Sequence, residues 1–141
     1  MKKLFLALAA SAAILIPGAA LAQDKTKACF IYVGPIGDFG YSYQHHQGLL
    51  DAQKHFGDKL ETAYLESVPE GAGTESALER LARSGCDIIF ATSFGFMDGT
   101  NAVAGRFPDV KFEHATGFKR EHPNVSTYNS KFHEGRYVQG V

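Results

Sequence analysis

The sequence predicts an α/β fold in which a mostly parallel sheet, in the strand order 2-1-3-4-5, is flanked by helices. Apolar runs of strand length alternate with segments of helix length, which is the pattern of repeated βαβ units. The run at residues 28–33 is continuously apolar and the run at 87–91 is strongly so. Such runs are typical of strands buried on both faces of a parallel sheet, and their crossovers are expected to be right-handed.

The first half of the chain predicts two βα units. The strand at residues 28–33 ends at a Gly-Pro pair, and apolar side chains at helical spacing then predict a helix over residues 41–56. Gly57 stops that helix, and residues 60–66 form the second predicted strand. Thr74 precedes the next amphipathic run, so we expect it to cap the second helix.

The second half repeats the pattern and then adds strands. Residues 87–91 are the third strand, and Asp98 is placed to cap a third helix. Pro108 prevents that helix from continuing beyond residue 107. The remaining predicted elements are strands over residues 110–115 and 125–129 and an amphipathic segment over 132–141.

Composition excludes several classes of protein. The chain has 141 residues, 14 basic against 15 acidic side chains, and 45% hydrophobic residues. A mildly acidic chain without a basic cluster is a poor nucleic-acid binder. The apolar content arranged in blocks argues against disorder, and two cysteines are too few for a disulfide scaffold.

The first 22 residues have the pattern of a secretory signal peptide. Two lysines precede an apolar run at residues 4–16, and an Ala-Leu-Ala cleavage site at 20–22 precedes Gln23. We therefore expect residues 1–22 to be removed after Ala22 and residues 23–141 to form one exported α/β domain. The n-region and cleavage site are bacterial in type, which predicts a periplasmic location.

The two cysteines are expected near the starts of neighbouring strands. Cys29 lies within an apolar block and not directly after the signal, so lipid anchoring is not expected. An exported location permits a disulfide between Cys29 and Cys86. Cross-strand disulfides are uncommon inside parallel sheets, and the sequence analysis therefore favours two buried thiols over a bond.

Two unusual loops follow the first and third predicted strands. Ligands of open α/β sheets bind beyond the carboxyl ends of the strands, near the switch in strand order, and that switch lies between these two strands. The loops at residues 34–43 and 92–98 each combine glycines, aromatic residues and a carboxylate. Aromatic faces stack on flat rings and carboxylates accept hydrogen bonds from amines or hydroxyls. The loops thus predict a site for a flat ligand with polar edges, the alternative being packing and turn residues.

Neither a dinucleotide site nor a hydrolase site is well supported. Gly34, Gly37 and Gly40 have the spacing G-x-x-G-x-x-G, which differs from the dinucleotide fingerprint. Glu66 could act as a ribose-binding acid after the second strand, yet exported proteins rarely meet nicotinamide cofactors. Ser93 lies in Thr-Ser-Phe-Gly and not in the G-x-S-x-G of a nucleophile elbow.

Two further motifs are discounted. His45 and His46 are adjacent on a predicted helix and point about 100° apart, so we interpret them as solvent-facing or ligand-lining side chains instead of metal ligands. Asn124 begins a glycosylation sequon, but the sequon overlaps a predicted strand in a bacterial-type protein.

The same residues resemble the basic membrane protein (BMP) family of solute-binding proteins, the group that contains purine nucleoside receptors. The opening block FIYVGPIGDFGYSYQH at residues 30–45 is similar to the first motif of that family. Similar later blocks are ESVPEG at 66–71, IFATSFGFMD at 89–98, FPDVKFEHATG at 107–117 and FHEGRY at 132–137. The resemblance covers nearly all of residues 27–141.

This resemblance implies a type I periplasmic-binding-protein lobe and a role in ABC import. Family members have two α/β lobes around a cleft and are more than twice as long, so the chain is expected to be the N-terminal lobe with the second lobe missing. The implied ligand is a purine base or nucleoside, the implied partners are the permease subunits, and no catalysis, cofactor or metal is implied. A type I binding protein for a sugar or other small solute is the alternative, and an exported α/β enzyme is a more distant one.

The resemblance also implies the ligand-binding residues. Position 41 is often tryptophan in similar proteins, whereas here Tyr41 keeps an aromatic face and adds a hydroxyl. Many members are lipoproteins, and this chain lacks a lipobox. The implied ligand-binding residues are Asp38, Tyr41, Ser42, Phe94, Gly95, Phe96 and Asp98.

Overall fold

A computed structural model describes residues 25–140, and their five strands form one sheet in the order β2-β1-β3-β4-β5. Every neighbouring pair of strands is parallel. The predicted sheet order and α/β class are confirmed, while the predicted signal peptide at residues 1–22 lies outside the described residues. The strands are β1 (Thr26–Ile31), β2 (Leu60–Leu65), β3 (Ile88–Ala91), β4 (Lys111–Ala115) and β5 (Val125–Tyr128).

Four α-helices connect or follow these strands. They are α1 (Tyr41–Phe56), α2 (Ala72–Arg83), α3 (Met97–Ala104) and α4 (Phe132–Gln139). Because successive residues of a strand point to opposite faces, β1 contributes to two separate cores. Cys29 and Ile31 lie in the larger core with α2 and α3, whereas Ala28 and Phe30 lie in the smaller core with Leu49 of α1. Both faces of β1 are therefore buried, as its apolar run predicts.

The two predicted helix caps are wrong in detail. Helix α2 begins at Ala72 after Gly71, which adopts a positive φ of 79°, and the buried Thr74 donates its hydroxyl to the Pro69 carbonyl inside the first turn. Helix α3 begins at Met97 because a short 3₁₀ turn precedes it, and Asp98 forms no cap hydrogen bond. In both cases a turn before the predicted cap already sets the direction of the helix.

The cysteine prediction is also wrong, because Cys29 and Cys86 form a disulfide with a Cα–Cα distance of 6.0 Å. The prediction rests on the rarity of cross-strand disulfides inside parallel sheets. The partner of Cys29 on β3 is Ile89, and Cys86 lies before β3, where the chain turns from α2 into the strand. The bond thus joins a strand to a turn, and both residues are almost fully buried.

Asn124 holds the end of α3 against the sheet. Its side-chain amide donates to three backbone carbonyls, those of Ala104 at 3.2 Å, Phe107 at 3.0 Å and Val110 at 2.9 Å. Carbonyls at a helix C-terminus lack amide donors from a following turn of the helix. Here the Asn124 side chain donates to the last carbonyl of α3 and to two carbonyls just beyond it. The side chain is buried, so the sequon that begins at Asn124 presents its amide to the protein interior.

Loss of the disulfide is expected to destabilise the fold. The bond closes a loop with a sequence separation of 57 residues, for which loop-closure entropy gives about 4 kcal/mol of unfolding free energy. Urea denaturation should show this loss for the double variant Cys29→Ala/Cys86→Ala and for the wild-type protein under reducing conditions. A wild-type midpoint that is unchanged by reductant would contradict the bond.

Replacement of Asn124 by aspartate is expected to be strongly destabilising. The carboxylate has nearly the same shape but cannot donate to the three carbonyls, and it places a negative charge beside their oxygens; loss of a buried donor of this kind costs about 1–3 kcal/mol. Asn129→Asp is the matched control, because exposed Asn129 only accepts a local hydrogen bond from the Ser130 amide, which aspartate preserves. Equal unfolding free energies for the two variants would argue against this role of Asn124.

Candidate functional site

The parallel sheet brings the carboxyl ends of all five strands to one edge, here called the carboxyl edge. Its lining segments are the β1–α1 loop (residues 32–40), the β2–α2 loop (66–71), the β3–α3 loop (92–96), the first residues of the β4–β5 loop (116–124), which then crosses to the opposite edge, and residues 129–131 after β5. Ligand sites of open parallel sheets lie at this edge. The two loops singled out from the sequence lie side by side there, because β1 and β3 are neighbours.

Exposed aromatic rings are concentrated at this edge. Phe39 is 80% exposed and Phe118 is 69% exposed, which is unusual for large apolar side chains. The Phe94 and Phe118 rings, from two different loops, lie with their centroids 6.5 Å apart. The whole set, here called the aromatic edge, comprises Phe39, Tyr41, Phe94, Phe118 and Phe132.

Side-chain hydrogen bonds fix the path of the β1–α1 loop. The buried Ser42 hydroxyl accepts from the Gly34 amide at 3.1 Å, so it holds the loop instead of facing a ligand. Exposed Asp38 accepts from the Gly40 amide at 2.8 Å within its own turn. Glu66 of the neighbouring loop accepts from the Ile36 amide at 2.9 Å. Two carboxylates therefore shape the loop, and that of Asp38 is also open to solvent.

The two phenylalanines of the β3–α3 loop have different roles. Phe94 is 56% exposed at the carboxyl edge, whereas Phe96 is fully buried in the larger core. The 3₁₀ turn over Phe94–Phe96 breaks the alternation of an extended chain, so residues two apart do not share a side. Phe94 is thus available to a ligand, and Phe96 anchors the loop from below.

Glu70 links the β2–α2 loop to the β3–α3 loop. Its carboxylate accepts a hydrogen bond from the Ser93 hydroxyl. It also packs against Gly95, where an added Cβ would lie 2.2 Å from the carboxyl carbon of Glu70. Glycine at position 95 thus leaves room for the Glu70 carboxylate, and a larger residue there would displace that side chain.

Asp98 and Lys119 form an ion pair across the edge. Asp98 is in the first turn of α3 with its side chain 79% exposed, and Lys119 comes from the β4–β5 loop. The hydrogen bond from Lys119 to the Asp98 carboxylate raises the pKa of the lysine. A ligand amine that reaches Asp98 would have to share it with, or displace, the Lys119 ammonium.

Backbone strain is concentrated in the same loops. Within residues 25–140, the non-glycine residues with positive φ are Phe39 at 57°, Ser67 at 54° and Thr116 at 68°. Each follows a different strand at the carboxyl edge. Such conformations cost about 1–3 kcal/mol each and cluster at binding sites, where surrounding contacts enforce them.

A small hollow of about 100 Å³ lies beside the aromatic edge. The Tyr41 and His45 rings meet there edge to face with centroids 4.6 Å apart, and burial lowers the pKa of His45. His46 instead packs against the rings of Tyr32 and Tyr64, so the adjacent histidines diverge. No group of three or more metal-ligating side chains occurs in the described residues.

A larger hollow, about 560 Å³, lies elsewhere, between α1 and the smaller core. Phe30, Ile88 and Phe90 form its apolar floor, and polar groups such as Glu113 and Tyr128 lie at its margin. It is an open stretch of sheet face, and few groups there could orient a polar ligand. Within residues 25–140, no helix combines the length and apolar character that crossing a membrane requires.

The structure places five of the residues singled out from the sequence at the open surface of this edge: Asp38, Tyr41, Phe94, Gly95 and Asp98. Ser42 and Phe96 support the loops from beneath. Glu70, Lys119 and Phe118 are additional members of the edge that the sequence analysis did not select. Glu70 lies in the ESVPEG block, and Phe118 and Lys119 directly follow the FPDVKFEHATG block. Only the three-dimensional arrangement of the loops shows what these three residues contact.

Comparison with known proteins gives close relatives over the whole described chain. The model of the Bmp family, described as ABC transporter substrate-binding protein PnrA-like, matches residues 25–141. A purine-binding protein of Brucella abortus is 54% identical over 95% of this chain, and the chain spans 38% of its length. A protein of Haloferax volcanii, provisionally named an ABC transporter glucose-binding protein, is 38% identical over 83% of this chain, which spans 29% of its length.

Solved structures agree on the fold. An ABC transporter solute-binding protein of Conexibacter woesei superposes with a TM-score of 0.68 at 19% identity, over 82% of this chain and 38% of its own. Another from Aeropyrum pernix superposes with a TM-score of 0.62 at 26% identity, over 74% of this chain and 28% of its own. The sequence match and the fold point the same way, and the chain belongs to the Bmp family of PnrA-like ABC transporter substrate-binding proteins.

Proposed function

We propose that this protein captures a purine base or nucleoside as the extracytoplasmic solute-binding subunit of an ABC importer. The observation that carries the proposal is the aromatic edge, whose exposed rings come from separate segments beside the open space above the carboxyl edge, here called the crevice. Contiguous exposed apolar surface of this kind marks binding sites, and aromatic faces suit a flat heterocycle. The purine-binding name of the Brucella abortus relative supports the same ligand class.

The polar groups around the rings match the periphery of a purine. Asp38, Glu70 and Asp98 offer carboxylate oxygens that accept hydrogen bonds from an exocyclic amine, a ring N–H or ribose hydroxyls. Gly95 lets the Glu70 carboxylate pack against the β3–α3 loop, which places one of these acceptors at the carboxyl edge. The site provides for binding and orientation, and we assign it no chemical reaction.

The chain acts, in this proposal, as one lobe of a two-lobed receptor. Residues 23–141 form the N-terminal lobe, and the second lobe lies in the part of the longer relatives that this chain does not span. A ligand would lie between rings from both lobes, and closure would be a hinge motion. The closed form would then dock on the permease subunits, in a periplasmic protein released from its signal after Ala22 and without a lipid anchor.

A sugar is the second candidate ligand, favoured by the name of the Haloferax volcanii relative. Aromatic faces also stack on sugar rings, so the fold alone does not decide between them. Calorimetric titration of the full-length protein with adenine, guanine, adenosine and glucose decides the class. We expect binding of a purine ligand and none of glucose, with binding weak or absent for residues 23–141 alone; glucose binding without purine binding would overturn the proposal.

The Phe94 ring is expected to contribute directly to purine affinity. Phe94→Ala should cost about 1–3 kcal/mol through lost burial and stacking, which is a loss of about 5- to 150-fold in affinity. Phe56→Ala is the matched control, since Phe56 is 52% exposed but lies at the far end of α1, away from the carboxyl edge. Titration with the best purine ligand should separate the variants, and equal affinities would place the site elsewhere.

The ion pair of Asp98 and Lys119 is expected to tune selectivity for aminated purines. Asp98→Asn should weaken adenine more than hypoxanthine, because a carboxylate is the stronger acceptor for an exocyclic amine. Lys119→Gln should strengthen adenine, since it frees the carboxylate of its partner. Competition titrations measure both ratios, and unchanged ratios in both variants would exclude Asp98 from ligand recognition.

A further inference from the structure

His114 is a fully buried histidine on β4 whose ring reaches the carboxyl edge from beneath. Its Nε2 lies 2.7 Å from the backbone carbonyl oxygen of Ser93 in the β3–α3 loop. A carbonyl only accepts, so Nε2 carries the hydrogen and donates it. The same carbonyl accepts from the Phe96 amide at 3.1 Å, so the ring and the 3₁₀ turn share one anchor point.

The opposite side of the ring contacts the β4–β5 loop. An added Cβ on Gly117 would lie 1.9 Å from Nδ1 of His114, so only glycine fits there. Nδ1 is buried and has no hydrogen-bond partner among the described residues. Burial lowers the pKa of His114, which is consistent with a neutral ring that carries its hydrogen on Nε2.

The two loops that contact the His114 ring are themselves bonded to other segments of the carboxyl edge. The Ser93 hydroxyl donates to Glu70 and thereby connects the β2–α2 loop. Two residues beyond Gly117, Lys119 pairs with Asp98 at the start of α3. His114 thus touches two loops of the crevice directly and a third through Ser93.

We propose that His114 is the positioning residue of the crevice, which acts through the Ser93 carbonyl and Gly117 and never touches the ligand. This role rests on the proposed function only in that the crevice is where the ligand binds. Nothing in its burial alone requires a histidine, because an apolar side chain could fill the same core. The hydrogen bond to the loop is what an apolar residue would not supply.

The test compares three variants by amide hydrogen exchange of the ligand-free protein. His114→Leu should raise exchange at least tenfold at the amides of residues 94–96 and 117–119. His114→Gln should restore most of the protection, since its side-chain amide can donate to the same carbonyl. Val103→Ala is the matched control, because Val103 is equally buried in the larger core and contacts no loop through a hydrogen bond of its side chain.

Adenine titration of the full-length protein supplies the second readout. His114→Leu should lose tenfold or more in affinity, whereas His114→Gln and Val103→Ala should stay within threefold of the wild type. Unchanged loop exchange in His114→Leu, or an equal loss of affinity in Val103→Ala, would overturn the proposal. Absence of adenine binding by the wild type would count against the proposed ligand alone, because the exchange result is obtained without ligand.

A fourth variant, Gly117→Ala, tests the positioning role if His114→Leu does not fold. Gly117→Ala keeps the imidazole but pushes a methyl group into Nδ1, so the ring must move away from Ser93. Exchange at residues 94–96 should rise in this variant as well. Wild-type protection there would contradict the positioning role.

Discussion

The parallel alignment of five strands decides where every loop of this chain goes. Parallel strands need a crossover after each strand, so all carboxyl ends share one edge and all connections leave from it. The interior strand β1, which lies between β2 and β3, supports this arrangement because its apolar run is buried by helices on both faces. Residues far apart in the sequence, such as Asp38 and Asp98, reach the same crevice only through this alignment.

The crevice is shaped mainly by polar side chains that bind neighbouring backbone. Ser42 and Glu66 hold the β1–α1 loop, and His114 holds the β3–α3 loop. The Asp38 carboxylate accepts from the Gly40 amide across the strained Phe39, whose aromatic ring lies in solvent. A binding surface of exposed rings costs stability, and a rigid polar support limits the number of ways in which those rings could collapse.

Sequence patterns predict the sheet and its order well, because apolar runs and their spacing report directly on burial. Sequence patterns are less reliable where the local backbone geometry decides whether a single side chain is exposed or buried. Phe94 and Phe96 look equivalent in the sequence, and only the 3₁₀ turn between them sends one ring outward and the other into the core. Cys86 is expected from the sequence near the start of a strand, and its position in the turn before β3 is what permits the disulfide. Contacts between loops, such as Glu70 with Gly95, have no local signal.

The interior position of β1, between β2 and β3, also governs the order in which the sheet can form. β1 is the first element of the described chain, and its partners on either side come much later in the sequence. The Ile31 carbonyl, for example, accepts the Thr92 hydroxyl across a separation of 61 residues. Such non-local contacts make folding slow, and an unpaired apolar strand is prone to aggregation meanwhile. In a chain built this way, the apolar strand β1 stays without its two strand partners until residues 60–91, which contain β2 and β3, lie beside it.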